Sequence, residues 1–131
     1  MREIKFRAWL NTEKRMIDWK DLLIEKDDEE GFFLWVKDDP NDNHSGATGE
    51  SDFVLMQYTG LKDENSTEIY EGDVIEWLDP FGVTVRSQVI YDETTASYKT
   101  YKGELSHISI RPNLKVVGNI YENPELLEEK Q

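Results

Sequence analysis

Two histidines are the residues of this sequence whose type most readily suggests catalysis. His107 follows Ser106, but adjacent residues of an extended strand point to opposite faces, so the two cannot form a nucleophile–base pair. His107 shares its strand parity with Leu105, which predicts a partly buried or pocket-lining side chain rather than a catalytic one. His44 lies in a polar segment without strand alternation. The histidines therefore provide no nucleophilic centre.

A calcium-loop pattern surrounds His44. Asp39, Asn41, Asn43 and Glu50 occupy positions 1, 3, 5 and 12 of a twelve-residue calcium loop. Position 6 requires glycine for its sharp turn, and here it is His44. The remaining acidic residues, 28 in the whole chain, do not single out a general acid and an ionised partner. We therefore expect no metal site, no cofactor and no enzymatic activity.

Aromatic and basic residues in the second half form the remaining candidate site. This tentative interaction surface consists of Trp77, Arg86, Tyr98, Lys99, Tyr101, Lys102 and Arg111. Such side chains can stack single-stranded bases or grip a peptide. The alternative is that the aromatic residues form the core while the basic residues solvate the outer faces. Residues 83–121 hold five Lys/Arg against three Asp/Glu, which is weak support for nucleic acid, so protein binding is favoured.

The net charge of -13 is concentrated in the middle of the chain. Residues 21–82 contain eighteen Asp/Glu and three Lys/Arg, whereas proteins that bind a nucleic acid duplex usually carry an excess of basic residues. The simplest interpretation is that these acidic residues solvate long loops. A second hypothesis is an acidic decoy for a host nucleic-acid-binding protein.

The apolar pattern predicts the elements that must position these side chains. Alternation over Ile4–Leu10 predicts a strand, and Met16–Trp19 can pair back to close an N-terminal β-hairpin. Residues 37–52 lack apolar periodicity and are rich in turn formers, which predicts a mobile acidic surface loop. The rest of the chain, from about 53 to 121, reads as a series of hairpins, with Leu105–Ile110 as one of the strands.

These elements fit one domain spanning residues 1–131. We expect a mainly β fold with a small, strongly bent sheet or partly closed SH3-like barrel, an N-terminal β-hairpin and a short C-terminal helix. Asn123 and Pro124 predict the start of that helix, and Leu126 with Leu127 its docking face. The chain has no cysteine, no N-terminus resembling a signal peptide and no run near the ~20 apolar residues of a membrane span. These features indicate a cytoplasmic protein that does not enter a membrane.

Three segments resemble the YopX family of phage and prophage proteins. They are Lys5–Trp9 with Met16, Leu55–Asp63 running on through Glu68–Asp73, and Val117–Leu127. Their order extends the resemblance over essentially the whole chain. The resemblance implies a small, mainly β protein carried by bacteriophages or prophages in a bacterial host cell, and it implies no reaction. The family usually carries Asn-Gly where this chain has Asn65-Ser66, so we expect a looser turn there.

The sequence as a whole predicts an accessory protein that acts by binding. Its expected partners are a second copy of itself, through exposed strand edges, or a host or phage protein. A nucleic-acid-binding module using the C-terminal barrel is the alternative.

Overall fold

Short antiparallel β-strands account for most of the chain. The computed structural model describes residues 3–27, 31–37, 39–46 and 53–128. Within these residues the only α-helix is α1 (Leu105–Ile108), and 3-10 helices cover Trp19–Asp21 and Pro124–Leu127. The predicted mainly β fold is confirmed. Two compact units can be distinguished within it, Lys5–Met56 and Gln57–Gln131 together with Met1–Ile4.

The N-terminal unit is built from hairpins. Its strands are β1 (Phe6–Leu10), β2 (Arg15–Ile17), β3 (Leu22–Asp27), β4 (Gly31–Val36), β5 (Asp39–Gly46) and the start of β6 (Phe53–Lys62). Ala8 pairs with Ile17 and Trp9 with Met16, which confirms the predicted N-terminal hairpin. Ala8 and Leu10 point into the core of this unit, where they pack with Leu34 and Phe53. Strand alternation therefore selects the buried face, although Trp9 is also buried.

The loop prediction for residues 37–52 is wrong over Asp39–Gly46. This segment is β5, an edge strand of the sheet β3-β4-β5, and it pairs antiparallel with β4. Strand pairing joins backbone groups, so an edge strand needs neither apolar alternation nor the absence of proline. Residues 38 and 47–52 lie outside the described residues, as do the side chains of the calcium-loop pattern.

The C-terminal unit continues from β6 through seven further strands. They are β7 (Glu68–Tyr70), β8 (Asp73–Leu78), β9 (Thr84–Gln88), β10 (Ile90–Asp92), β11 (Ser97–Thr100), β12 (Gly103–Glu104) and β13 (Lys115–Asn119). They include the sheets β13-β8-β9 and β10-β11-β12. Ile69, Ile75, Trp77 and Val89 form the centre of the core. The predicted strongly bent sheet is confirmed as a curled half-barrel.

Two sequence predictions in this unit need correction. Leu105–Ile110 is not a strand, because Leu105–Ile108 forms α1. Leu105 and Ile108 are both buried, and a spacing of three residues places them on one face of a helical turn. His107 is consequently exposed rather than partly buried.

The predicted C-terminal helix is present only as the 3-10 helix Pro124–Leu127, with Pro124 in its first turn.

Two turns of the C-terminal unit, Asp63–Thr67 and Asp79–Val83, share one hydrogen-bond pattern. In each, the N–H of the aspartate donates to the carbonyl of the fifth residue at 2.9 Å, and the N–H of the fourth residue donates back at 3.0 Å. The aspartate Oδ1 accepts from the N–H groups of the third and fifth residues. The fourth residue has positive φ, 65° at Ser66 and 78° at Gly82. The turn at Ser66 therefore has the tight geometry of the Gly82 turn, and the expectation of a looser turn is wrong.

Replacing Ser66 with glycine is expected to raise the free energy of unfolding by about 0.5 kcal/mol, because left-handed backbone disfavours a residue with a Cβ. Urea unfolding followed by circular dichroism measures the change. The reciprocal variant Gly82→Ser is the matched control and should be destabilised. A Cβ at Gly82 would meet nothing within 4 Å, so only backbone conformation would oppose it. A change of the same sign in the free energy of unfolding of both variants would contradict this explanation.

Candidate functional site

A groove with a volume of about 810 Å³ runs along β9 in the C-terminal unit. We call it the β9 groove, and its lining comprises Glu76, Asp79, Val83–Gln88, Ile90, Tyr101, Lys102 and Leu126–Glu128. Successive side chains of a strand point to opposite faces. A groove that contacts each residue of Val83–Gln88 therefore includes the edge of the strand, and Glu76 extends the groove onto the face that carries Arg86.

The edge of β9 that faces the groove carries backbone groups without a strand partner among the described residues. In the sheet β13-β8-β9, β9 is an outer strand and pairs only with β8. Asp79 N–H donates to Val83 O, and Val89 N–H donates to Asp73 O, so the odd-numbered residues between them face β8. Because inward and outward backbone groups alternate in an antiparallel pair, Thr84, Arg86 and Gln88 direct their N–H and C=O groups outward.

The two walls of the groove lie on opposite faces of β9. The Arg86 side chain donates from Nη1 to Leu126 O at 3.1 Å, which places the C-terminal 3-10 helix on one face. The neighbouring Ser87 presents its Oγ to Tyr101 N–H at 3.1 Å, which places the turn between β11 and β12 on the other. Since adjacent side chains point in opposite directions, the strand edge forms a floor between these two walls.

Exposed apolar side chains and charged side chains line the groove together. Val83, Ile90, Tyr101 and Leu127 are 57%, 43%, 69% and 40% exposed, and all four line it. Its charged lining residues are three acidic and two basic, Glu76, Asp79, Glu128, Arg86 and Lys102. Arg86 is already paired with Glu76, its Nε lying 2.7 Å from Oε2. Lys102 lies over the Tyr101 ring, 5.4 Å from its centroid.

The structure brings only part of the predicted interaction surface together. Arg86, Tyr101 and Lys102 line the β9 groove. Trp77 is buried at 3% exposure in the core, and Tyr98 packs against that core while its ring makes an edge contact with Tyr91. These two aromatic residues are structural, because large rings contribute much apolar area when buried.

The two remaining basic residues of the predicted surface lie outside the groove. Arg111 donates from Nε to Leu78 O at 3.1 Å. Lys99 forms ion pairs with Asp92 at 3.0 Å and Glu104 at 3.7 Å. Hydrogen bonds from Thr94, and next from Lys99, hold the pKa of Asp92 well below its usual range. The contact with Asp92 in turn raises the pKa of Lys99, so Lys99 is a charged residue already engaged with carboxylates.

Sequence reasoning missed the main component of the groove, the backbone edge of β9. Apolar residues alternate over Val83–Tyr91, a pattern that indicates a strand, and the structure divides this stretch into β9 and β10 around Val89. The position of that strand at the edge of a sheet follows only from the topology. Leu126 and Leu127 were expected as a docking face, and the structure places both in the lining of the groove.

The fold and the groove define a small, mainly β protein with an open strand edge. Among the described residues no group of three or more His, Cys, Asp or Glu could hold a metal ion. In the same part of the chain, no helix has the length and apolar character needed to cross a membrane.

The chain belongs to the YopX family, as the predicted resemblance indicates, because the family model described as YopX protein matches residues 5–128. It is similar to protein EF1440 from Enterococcus faecalis, with 30% identity, a TM-score of 0.71 and coverage of 98% of this chain and 100% of that one. It is also similar in fold to protein yopX from Bacillus subtilis, with 17% identity, a TM-score of 0.61 and full coverage of both chains. No curated protein matches.

Proposed function

We propose that this chain is a non-enzymatic protein-binding module whose binding surface is the β9 groove. The observation that supports this function is the set of four exposed apolar side chains, Val83, Ile90, Tyr101 and Leu127, gathered in one concave surface. Exposed apolar surface that is concentrated and bordered by polar residues marks interaction sites. The resemblance to phage and prophage proteins favours a host or phage protein as the partner, with the bacterial cytoplasm as its location.

The charges of the groove disfavour nucleic acid as the ligand. Affinity for nucleic acid rests largely on neutralising phosphates with Lys and Arg. Of the two basic lining residues, Arg86 is paired with Glu76, and three carboxylates line the same surface. The acidic-decoy hypothesis needs a continuous acidic surface over residues 21–82, and part of that segment lies outside the described residues, so it stays a prediction. Self-association through a strand edge also stays a prediction.

Affinity purification of the tagged protein from a bacterial lysate, with quantitative mass spectrometry, tests the proposed surface. Leu127→Asp places a charge in the groove, and we expect it to reduce recovery of the partner by about tenfold or more, the scale of an interface anchor residue. Phe81→Asp is the matched control, because Phe81 is 90% exposed and apolar but does not line the groove. Nuclease treatment and a salt titration accompany both variants.

The outcomes separate the two classes of ligand. Loss of the partner in Leu127→Asp but not in Phe81→Asp, with recovery insensitive to nuclease, supports a protein-binding groove. Recovery that falls steeply with salt and disappears after nuclease treatment would identify nucleic acid instead. Equal recovery with both variants would show that the groove is not the binding surface.

A further inference from the structure

We propose that the β9 groove binds an extended peptide segment as an additional strand on the outer edge of β9. We further propose that the peptide's acidic side chains face Tyr101 and Lys102 and its apolar side chains face Leu126 and Leu127. This inference rests on the proposed protein-binding function and specifies the chemistry of the partner. It is supported by the backbone of the groove floor, the arrangement of its walls and the charge of one wall.

The floor of the groove supplies the hydrogen-bonding groups that an added strand requires. The N–H and C=O groups of Thr84 and Arg86 face outward, and no hydrogen bond within the described residues engages them. Gln88 also faces outward, and its carbonyl accepts the Ser87 hydroxyl. An extended peptide can pair with such an edge through its own backbone, which is the basis of recognition by β-strand addition.

The two walls of the β9 groove favour a single extended peptide as the ligand. The C-terminal 3-10 helix and the turn at Tyr101–Lys102 stand on opposite faces of β9, so a strand added to the edge would lie between them. A second copy of this chain pairing through β9 would have to fit two walls of its own between these. A peptide strand has no such flanking structure and can enter.

The two walls differ in chemistry, so they select different side chains. Lys102 has no carboxylate within ion-pair distance among the described residues, and it lies beside the exposed Tyr101 ring. An acidic side chain of a bound peptide would supply the missing opposite charge. The opposite wall presents Leu126 and Leu127, which favour an apolar side chain, and the carboxylates of Glu76 and Glu128 on the same side disfavour an acidic one. Because strand side chains alternate between faces, the matching peptide alternates acidic and apolar residues.

Panning a displayed library of random peptides of about ten residues, the length of a long strand, against the full chain tests the proposal. We expect enriched peptides to alternate acidic and apolar residues. In fluorescence polarisation, Thr84→Pro should weaken these peptides by about tenfold, because it removes an outward N–H and adds a ring at the pairing edge. Thr84→Val, which keeps the N–H and the branched shape, is the matched control and should bind as the wild type does.

Thr84 suits this substitution because it is the first residue of β9 and lies on an edge, the positions where strands accept proline. The same test is available from the side of the ligand. N-methylation of the peptide amides that point toward β9 should abolish binding, while N-methylation of the alternate amides should preserve it. This readout does not depend on the stability of a variant.

Each outcome bears on the proposal. Enrichment of alternating peptides, with loss of binding in Thr84→Pro and in one N-methyl series, supports it. If Leu127→Asp abolishes peptide binding while Thr84→Pro and both N-methyl series do not, the groove binds protein by side-chain contacts and strand addition is wrong. If neither Leu127→Asp nor Thr84→Pro changes peptide binding, the proposed function itself fails. Failure to enrich any peptide, or enrichment of peptides with basic residues at the alternating positions, also contradicts the inference.

Discussion

Replacing Asp63 with alanine is expected to lower the free energy of unfolding by about 3 kcal/mol, because three charge-assisted hydrogen bonds would be lost at a buried carboxylate. Oδ1 accepts the N–H groups of Asn65 and Thr67 at 2.8 and 2.9 Å. Oδ2 accepts the N–H of Val116, 53 residues further along the chain, at 2.9 Å. Asp63 therefore closes its own turn and fastens that turn to β13. Urea unfolding and amide hydrogen exchange at Val116 measure the two effects.

Asp79→Ala is the matched control for Asp63→Ala. Asp79 makes the same two turn hydrogen bonds in an exposed position, and no contact to a distant strand is found for it within the described residues. We expect it to cost only about 1 kcal/mol, since water can replace bonds at an exposed turn. Asp63→Asn separates the contributions further, because an amide can keep the turn bonds and lose the bond to Val116. Equal costs for Asp63→Ala and Asp79→Ala would refute the role of the Val116 contact.

Replacing Gly118 with alanine is expected to lower the free energy of unfolding by about 2 kcal/mol, because overpacking a closely filled site forces its neighbours to move. A Cβ on Gly118 would lie 2.6 Å from Asn123 Oδ1 and 2.7 Å from Leu126 Cδ1. Both atoms belong to the C-terminal segment that forms one wall of the β9 groove. We therefore expect this wall to move away from Arg86 as stability falls. Urea unfolding and limited proteolysis of the C-terminal segment measure the two changes.

A double-mutant cycle with Leu126→Ala provides the control for Gly118→Ala. Shortening Leu126 removes one of the colliding atoms, so the double variant should be more stable than the sum of the single effects predicts. Strict additivity would mean that Gly118 does not act through Leu126. Unchanged stability and protease resistance in Gly118→Ala would show that the close approach carries no cost.

The parts of the fold that sequence reasoning predicted are those determined by local side-chain patterns. The β1–β2 hairpin follows from the alternation over Ile4–Leu10. β5 was missed because an edge strand can be polar throughout. α1 was missed because two apolar residues in a short segment fit either a strand or a single helical turn.

The candidate site was less predictable, for a different physical reason. The prediction from side-chain type included Arg86, Tyr101 and Lys102, and the fold brings these three together in the groove. It also included Trp77 and Tyr98, which pack in or against the core instead. The floor of the groove is formed by backbone N–H and C=O groups. Because these groups are the same at each residue, the sequence does not distinguish the ones that form the site. Which of them remain without a strand partner depends on the order of strands in the sheet, and that order follows from contacts between distant parts of the chain.

The walls of the β9 groove also bear on the solubility of the protein. An unprotected strand edge can template the addition of further chains and begin aggregation, and natural β proteins cover or interrupt such edges. Here the C-terminal 3-10 helix and the Tyr101–Lys102 turn lie on opposite faces of β9 without pairing with its outer edge, an arrangement that interrupts the edge. We therefore expect mutations that remove the C-terminal helix to increase aggregation as well as to lower stability.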